Sequence, residues 1–184
     1  PCIENGKLWD GEHFSHANVL VNEETGLVEH IGPERQRAET VFDASGAIVS
    51  AGLVDAHVHL WGVSSDRYGM QAEMACLPFG ATACADAGAE KEGAQRLDCA
   101  AVRSCVFVPV EIRKNTPDLL AAEKLLCHYG SRAIGLKVYF DTTVSDVWDA
   151  AALKAVCAFA HTRGLRVMVH CSHAPVAMWE LLSE

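Results

Sequence analysis

The sequence predicts an α/β fold in which a parallel sheet covered by helices closes into a (β/α)8 TIM-type barrel, preceded by a small β module. Short strand-like segments separated by turns fill residues 1–50, whereas apolar strand candidates alternate with helical segments over residues 51–184. Such alternation is typical of a parallel sheet. Polar side chains gather where these strands end, which is where a barrel carries its site. We therefore expect two domains, residues 1–50 and residues 51–184.

Turn signals divide the first domain into short strands. The dipeptide Asp10-Gly11 is a hairpin signal, and Gly32-Pro33 breaks the chain again. A module of this size buries too little surface to be stable alone, so we expect it to pack with the rest of the protein. Its strands are predicted over residues 3–9, 17–22, 27–31, 40–43 and 48–49.

The second domain is predicted to begin a barrel rather than a dinucleotide-binding sheet. Its first strand-to-helix turn has no Gly-x-Gly-x-x-Gly run, so nothing supports a dinucleotide site. Gly130 and Gly164 fit helix C-termini just before the next strand. The strands are predicted over residues 52–60, 82–87, 104–112, 133–141 and 166–172. The helices are predicted over residues 68–77, 92–102, 117–129 and 145–163.

Composition restricts the classes of partner. Half of the 184 residues are hydrophobic and 21% are charged, which excludes a disordered or fibrous chain. The formal net charge of −9 disfavours nucleic acid and anionic membranes, and the sequence shows neither a bilayer-spanning segment nor a signal peptide. The eight cysteines include no Cys-x-x-Cys pair, which indicates buried thiols in a reducing compartment. We expect a cytoplasmic protein with a small-molecule substrate and leave a homo-oligomer open.

The first barrel strand carries a His-x-His pattern. Residues two apart in a strand point to the same side, about 6.7 Å from each other. Asp55, His57 and His59 therefore share one face. Two imidazoles at this spacing can converge on one metal ion. The alternative is two polar residues that happen to alternate at a strand end. The opposite face, with Val54 at its start, is predicted to pack on helices.

The fourth strand places Lys137 and Tyr139 on the inner face, opposite Leu136, Val138 and Phe140. Burying an unpaired ammonium costs several kcal/mol. The lysine could be neutral with a depressed pKa, or carbamylated by CO₂ so that it becomes an anion that bridges metals. It could also extend into solvent. The sequence leaves these alternatives open.

The fifth strand points His170 inward, while Val167, Val169 and Cys171 form its outer face. A single inward histidine is usually a hydrogen-bonded core residue, but a third histidine at the same barrel end favours a metal ligand. His173 lies just past the strand on the other face, so we expect it to be a loop residue or to contact one of the metal-binding residues, rather than to bind metal itself.

Four further residues are candidates for supporting roles at this end of the barrel. Asp86, which closes the second strand, could contact the metal ligands. Substrate contacts are predicted for Trp61, Arg67 and Tyr139.

These motifs together resemble the amidohydrolase superfamily, and most of all its dihydroorotase, hydantoinase and N-acyl deacetylase group. The resemblance covers the whole chain. The motifs that carry it are Ile3-Glu4-Asn5-Gly6-Lys7-Leu8, Gly52-Leu53-Val54-Asp55-Ala56-His57-Val58-His59, Gly135-Leu136-Lys137-Val138 and Val167-Met168-Val169-His170. The resemblance implies that residues 1–50 are the N-terminal part of a small β-sandwich.

The resemblance also implies a ligand set. His57 and His59 would bind the more buried of two zinc ions, Lys137 as a CO₂-derived carbamate would bridge both, and His170 would bind the second. A metal-activated hydroxide would then attack an amide or ester carbonyl. The family also needs a histidine from strand six and an aspartate after strand eight as general acid/base, which we expect beyond Glu184. The barrel is accordingly expected to be truncated after about strand five.

Three hypotheses about function follow. The leading one is a binuclear zinc hydrolase of amide or ester bonds, of the deacetylase or deacylase type, because His59-Leu60-Trp61-Gly62 resembles deacetylase-like members. A cyclic amidase of the dihydroorotase or hydantoinase type is the alternative. The third hypothesis is a catalytically inert fragment or scaffold relative. The 184-residue chain alone is expected to be inactive.

Overall fold

The protein, described here as a computed structural model, forms two compact units, Pro1–Gly52 and Leu53–Glu184. The structure describes residues 1–60, 69–89, 97, 101–178 and 180. Among the helices of these residues, none is both long and apolar enough to cross a membrane.

The first unit contains the strands β1 (Cys2–Glu4), β2 (Lys7–Trp9), β3 (Phe14–His16), β4 (Asn18–Val21), β5 (Val28–Gly32), β6 (Val41–Asp43) and β7 (Ile48–Ser50). They form two small mixed sheets, with strand orders β5-β4-β1-β6 and β3-β2-β7. The strand predicted over residues 3–9 is divided in two at Asn5, whose φ of 61° lies in the left-handed region that asparagine tolerates. The amide of Asn5 donates to Oδ1 of Asp43 over 2.9 Å, which fixes this break.

The second unit is built on a curled sheet of five parallel strands, β8 (Leu53–Val58), β9 (Ala81–Ala87), β10 (Arg103–Val110), β13 (Ala133–Tyr139) and β14 (Arg166–His170). Their order in the sheet is β14-β13-β10-β9-β8. The order follows the chain without a reversal, as in a barrel and unlike a doubly wound sheet. The predicted parallel arrangement is therefore confirmed as a half-barrel.

Three α-helices are described in this unit, and each is shorter than predicted. α1 spans Ala72–Cys76, α2 spans Leu119–Tyr129 and α3 spans Ala151–His161. Short 3₁₀ turns follow at Leu77–Phe79 and Gly130–Arg132. The Asp118 carboxylate accepts the Ala121 N–H over 2.9 Å and caps α2, so the helix begins after it. The helix predicted over residues 92–102 lies almost entirely outside the described residues.

A hairpin that the sequence did not predict lies between β10 and α2. It is formed by β11 (Ile112–Arg113) and β12 (Thr116–Pro117). Its tip, Lys114 and Asn115, has positive φ angles of 49° and 58°. Both residues are held by the segment after β13: the Lys114 N–H donates to Oδ2 of Asp146 over 2.7 Å, and the Asn115 amide donates to Oδ1 of Asp149 over 2.6 Å. Asp149 also accepts the Ala151 N–H over 2.7 Å, at the residue where α3 begins.

The core of this unit lies between the outer face of the sheet and the helices. On β13, Leu136 and Val138 have no exposed surface, as the alternation predicts. The prediction that the apolar face of β8 packs on helices is wrong at the beginning of the strand, because Val54 is 70% exposed. β8 is an edge strand of this sheet, so within the described residues it has a neighbouring strand on one side only.

Candidate metal centre

The candidate residues lie on three of the five strands, at their C-terminal ends. His57 lies near the end of β8 and His59 directly follows that strand, Lys137 lies on β13, and His170 ends β14. In the β13–β14 register, Tyr139 is opposite His170, and their ring centroids are 5.6 Å apart. Parallel pairing therefore brings Lys137, Tyr139 and His170 to the C-terminal end of the sheet, as predicted from the sequence.

The two histidines of the His-x-His pattern lie side by side. The ring centroids of His57 and His59 are 5.5 Å apart, with the rings edge-on. Although His57 is exposed as a whole, partial burial of its ring lowers its pKa, and the positive charges of Lys137 and His170 lower it further, against the opposing effect of Asp55. Burial also lowers the pKa of His59, with contributions from His57 and Lys137. Both shifts favour the neutral imidazole, which keeps a lone pair for a metal.

Lys137 is buried, with only 2% of its surface exposed. Burial lowers the pKa of its ammonium group, while the Cys171 thiol acts in the opposite direction. Its Nζ lies 5.5 Å from the centroid of the Tyr139 ring. The alternative in which this lysine extends into solvent is wrong. Cys171, predicted on the outer face of the fifth strand, instead lies exposed beyond the end of β14.

The donor set fits a metal only under one condition. In the described part of the chain, no three His, Cys, Asp or Glu side chains are grouped so that they could hold a metal ion. Lys137 completes the candidate group of His57, His59 and His170, but an ammonium repels a cation. Addition of CO₂ to Lys137 would replace this positive charge by two anionic oxygens, which are suitable ligands for a divalent ion. The described His, Cys, Asp and Glu side chains alone therefore do not form a metal site, and a metal centre at Lys137 would require carbamylation of its amine.

Asp141, which sequence reasoning missed, joins the ends of β13 and β14. The carboxylate is 1% exposed, and its Oδ2 lies 3.4 Å from Nε2 of His170 and 3.5 Å from Nδ1 of His173. The Thr143 hydroxyl and N–H donate to Oδ1 over 2.5 and 2.8 Å. These hydrogen bonds, the hydroxyl first, hold the pKa of Asp141 well below its usual range. The available signal was an aspartate two residues before a threonine at a strand end, which is typical of a side chain that bonds its own turn.

The remaining candidates have different outcomes. Asp86 is buried, and its Oδ2 accepts the Leu60 N–H over 2.7 Å, so it holds the backbone just after His59. His173 lies in the loop beyond β14, next to Asp141, which agrees with the prediction for it. Trp61 and Arg67, predicted to contact substrate, lie outside the described residues.

Comparison with known proteins gives similar sequences of one type. No family model matches the chain. A dihydroorotase of Latilactobacillus sakei subsp. sakei is 40% identical over 60 residues, which are 31% of this chain and 14% of that protein. A dihydroorotase of Lactobacillus johnsonii is 30% identical over 158 residues, which are 86% of this chain and 33% of that protein. The chain thus spans a third or less of the length of these relatives.

Solved structures share the fold at low sequence identity. A dihydroorotase has a TM-score of 0.74 at 20% identity, over 99% of this chain and 54% of that chain. An adenine deaminase has a TM-score of 0.80 at 18% identity, with 99% and 53% covered, and a D-hydantoinase has 0.72 at 20% identity, with 99% and 43% covered. The half-barrel and these neighbours define the class as an α/β protein of the TIM-barrel type. Within this class, the similar proteins are dihydroorotases, a hydantoinase and an adenine deaminase, all of the amidohydrolase superfamily.

Proposed function

We propose that the complete protein is a metal-dependent hydrolase of carbon–nitrogen bonds and that its substrate is a cyclic amide. The observation that carries the proposal is a buried lysine on a strand of the parallel sheet. Three histidines also lie at or just beyond the C-terminal ends of strands of this sheet. The similar proteins are named as dihydroorotases and hydantoinases, which supports a cyclic amide. The deacylase hypothesis, drawn from His59-Leu60-Trp61-Gly62, has no such support and stays the second candidate.

His57, His59, His170 and the carbamate of Lys137 would hold two zinc ions. When bound, the ions would activate a water molecule and polarise the carbonyl oxygen under attack. Burial favours the neutral amine of Lys137, which is the form that reacts with CO₂. The Nζ lone pair forms the N–C bond, one C–O π bond of CO₂ breaks, and the amine proton leaves to water. The product is an anionic carbamate.

Tyr139 is suited to line the substrate pocket. Its ring lies between two of the proposed ligands in the fold, 5.6 Å from the His170 ring and 5.5 Å from Nζ of Lys137. We further propose that the substrate is a small molecule and that neither nucleic acid nor a membrane is the main partner, in line with the net charge of −9. A cytoplasmic location and a homo-oligomer stay predictions from the sequence.

The test is metal-dependent turnover by the complete protein. We expect hydrolysis of dihydroorotate, dihydrouracil or hydantoin, loss of activity with a chelator, and recovery when zinc and bicarbonate are added together. His57→Ala should abolish turnover and lower bound zinc, whereas the exposed His161→Ala is the matched control. Faster hydrolysis of N-acetyl amino acids than of every cyclic amide would favour the deacylase. Full activity without metal would contradict the proposal.

A further inference from the structure

Asp141 is a buried carboxylate for which the metal centre proposed above has no role. It lies two residues beyond the end of β13 and is 1% exposed. Its two oxygens have separate partners. Oδ1 accepts the N–H and the hydroxyl of Thr143, which closes a local turn, whereas Oδ2 accepts the His173 N–H over 3.0 Å. One oxygen therefore orders its own loop, and the other reaches the loop after β14.

The same Oδ2 lies beside two imidazole rings. Nε2 of His170 is 3.4 Å away and Nδ1 of His173 is 3.5 Å away. These side chains are 41% and 66% exposed, so the carboxylate lies behind rings that are open to solvent. The loops are also joined through the backbone, because the N–H and hydroxyl of Thr142 both donate to the His173 carbonyl, over 3.0 and 3.2 Å. Asp141 is thus fixed from both loops and does not depend on either ring for its position.

We infer that Asp141 is a positioning residue that holds the His170 ring with its Nε2–H toward the carboxylate and so leaves the Nδ1 lone pair for a metal ion. An ionised carboxylate only accepts hydrogen bonds, and a neutral imidazole has one donor and one acceptor nitrogen. A hydrogen bond between Nε2 and Oδ2, which are 3.4 Å apart, therefore requires Nε2 to be the donor. Metal-binding histidines are commonly oriented in this way by a carboxylate on the other ring nitrogen. The inference rests on the proposed function in so far as His170 is a metal ligand.

One other polar group lies near the same nitrogen. The Ser172 hydroxyl oxygen is 3.3 Å from Nε2 of His170. A hydroxyl can donate or accept, so it adapts to either tautomer and does not select one. Asp141 is the group that selects, since its carboxylate has no proton to donate.

Asp141→Asn in the complete protein tests the inference. The amide keeps an oxygen for Thr143 but presents an NH₂ group to His170, which would force Nε2 to accept and place the proton on Nδ1. The same NH₂ group cannot accept the His173 N–H, so this hydrogen bond is lost as well, and the tautomer of His170 is the readout that separates the two effects. A carboxylate-to-amide change that imposes the wrong tautomer on a histidine is known to leave overall geometry intact. We expect zinc affinity, measured by competition with a chromogenic chelator, to fall about 10–100-fold. In the metal-free protein, ¹⁵N NMR should report the Nε2–H tautomer of His170 in the wild type and the Nδ1–H tautomer in the variant.

Two variants control for the loops. Thr143→Val removes a hydrogen bond to Oδ1 of the same carboxylate, and Ser172→Ala removes the adjacent hydroxyl. Both should keep the wild-type tautomer and zinc affinity within about threefold. Wild-type affinity in Asp141→Asn would overturn the inference and leave the proposed function intact. A wild-type protein that binds no zinc would contradict the proposed function, and the tautomer measurement would then decide on Asp141 alone. An Nδ1–H tautomer in the wild type overturns the inference without any variant.

Discussion

β8 and β13 carry the same pattern, with polar residues on one face and apolar residues on the other, but their burial differs. On β13, Leu136 has no exposed surface and Lys137 is 2% exposed. On β8, Val54 is 70% exposed and His57 also lies at the surface. β13 lies between β10 and β14, whereas β8 is at the edge of the sheet. Alternation thus determines which face a side chain is on, and the neighbouring strands and helices determine whether that face is buried.

The largest effect is expected from Lys137→Met. The variant keeps the length of the buried side chain but removes the amine that would accept CO₂. Activity of the complete protein should fall at least about a thousandfold, since the proposed bridging ligand is lost, and bound zinc should fall with it. Mass spectrometry of the native protein should show about 44 Da added on Lys137, the mass of CO₂.

Lys124→Met is the control for this substitution, because Lys124 is an exposed lysine on α2. It should keep full activity. If Lys137→Met also kept wild-type zinc and turnover, the carbamate bridge would be excluded.

The second prediction compares the apolar faces directly. Leu136→Ala should lower the free energy of unfolding by about 2–5 kcal/mol, because it leaves a cavity in a packed core. Val54→Ala on β8 should change it by less than about 0.5 kcal/mol, as for an exposed site. Urea denaturation measures both. An equal cost at the two sites would show that another part of the protein covers the outer face of β8.

Gly135 tests how closely the backbone of β13 packs against its neighbours, compared with the exposed backbone of β8. A Cβ at this position would lie 2.5 Å from the Arg166 carbonyl oxygen and 2.6 Å from the Phe107 ring. The first of these atoms belongs to the neighbouring strand and cannot turn aside. Gly135→Ala should therefore cost about 1–3 kcal/mol of stability. Ala56→Ser, a similarly small change at an exposed position of β8, is the control and should have little effect. A neutral Gly135→Ala would show that β13 and β14 can move apart.

Two features of the sheet could be predicted from the sequence because they depend on local patterns. The inner and outer faces of residues 133–139 follow from the alternation of polar and apolar residues. The consecutive strand order follows from the short connections between neighbouring strands. The hairpin at Lys114 and Asn115 was missed, because its turn contains no glycine and is stabilised by Asp146 and Asp149, more than thirty residues later. Long-range contacts of this kind leave no periodic signal.

Asp141 was missed for a similar reason. Its position after an apolar strand is visible in the sequence, but its contacts to His170 and His173 appear only when β13 and β14 pair. The burial of β8 was overestimated because the alternation contains no information about which strand lies at the edge. The face of a strand on which a side chain lies follows from the local sequence, whereas the residues that it contacts depend on which strands pair.

The smallest expected effect is a pH dependence of stability in the metal-free protein. The pKa values of His57 and His59 are lowered from the ordinary 6.5, by burial first. The unfolded chain therefore binds protons that the folded one does not, and stability should fall as the pH decreases from about 7 through 6.5. Replacing both residues by Gln should flatten this part of the curve, measured by urea denaturation between pH 5 and 7. Because these histidines lie at an edge strand, the slope should be well below the one-proton limit for each of them. A steeper slope would mean that the β8 histidines are as enclosed as Lys137 on β13, and the contrast between the two strands would then apply to their apolar faces only.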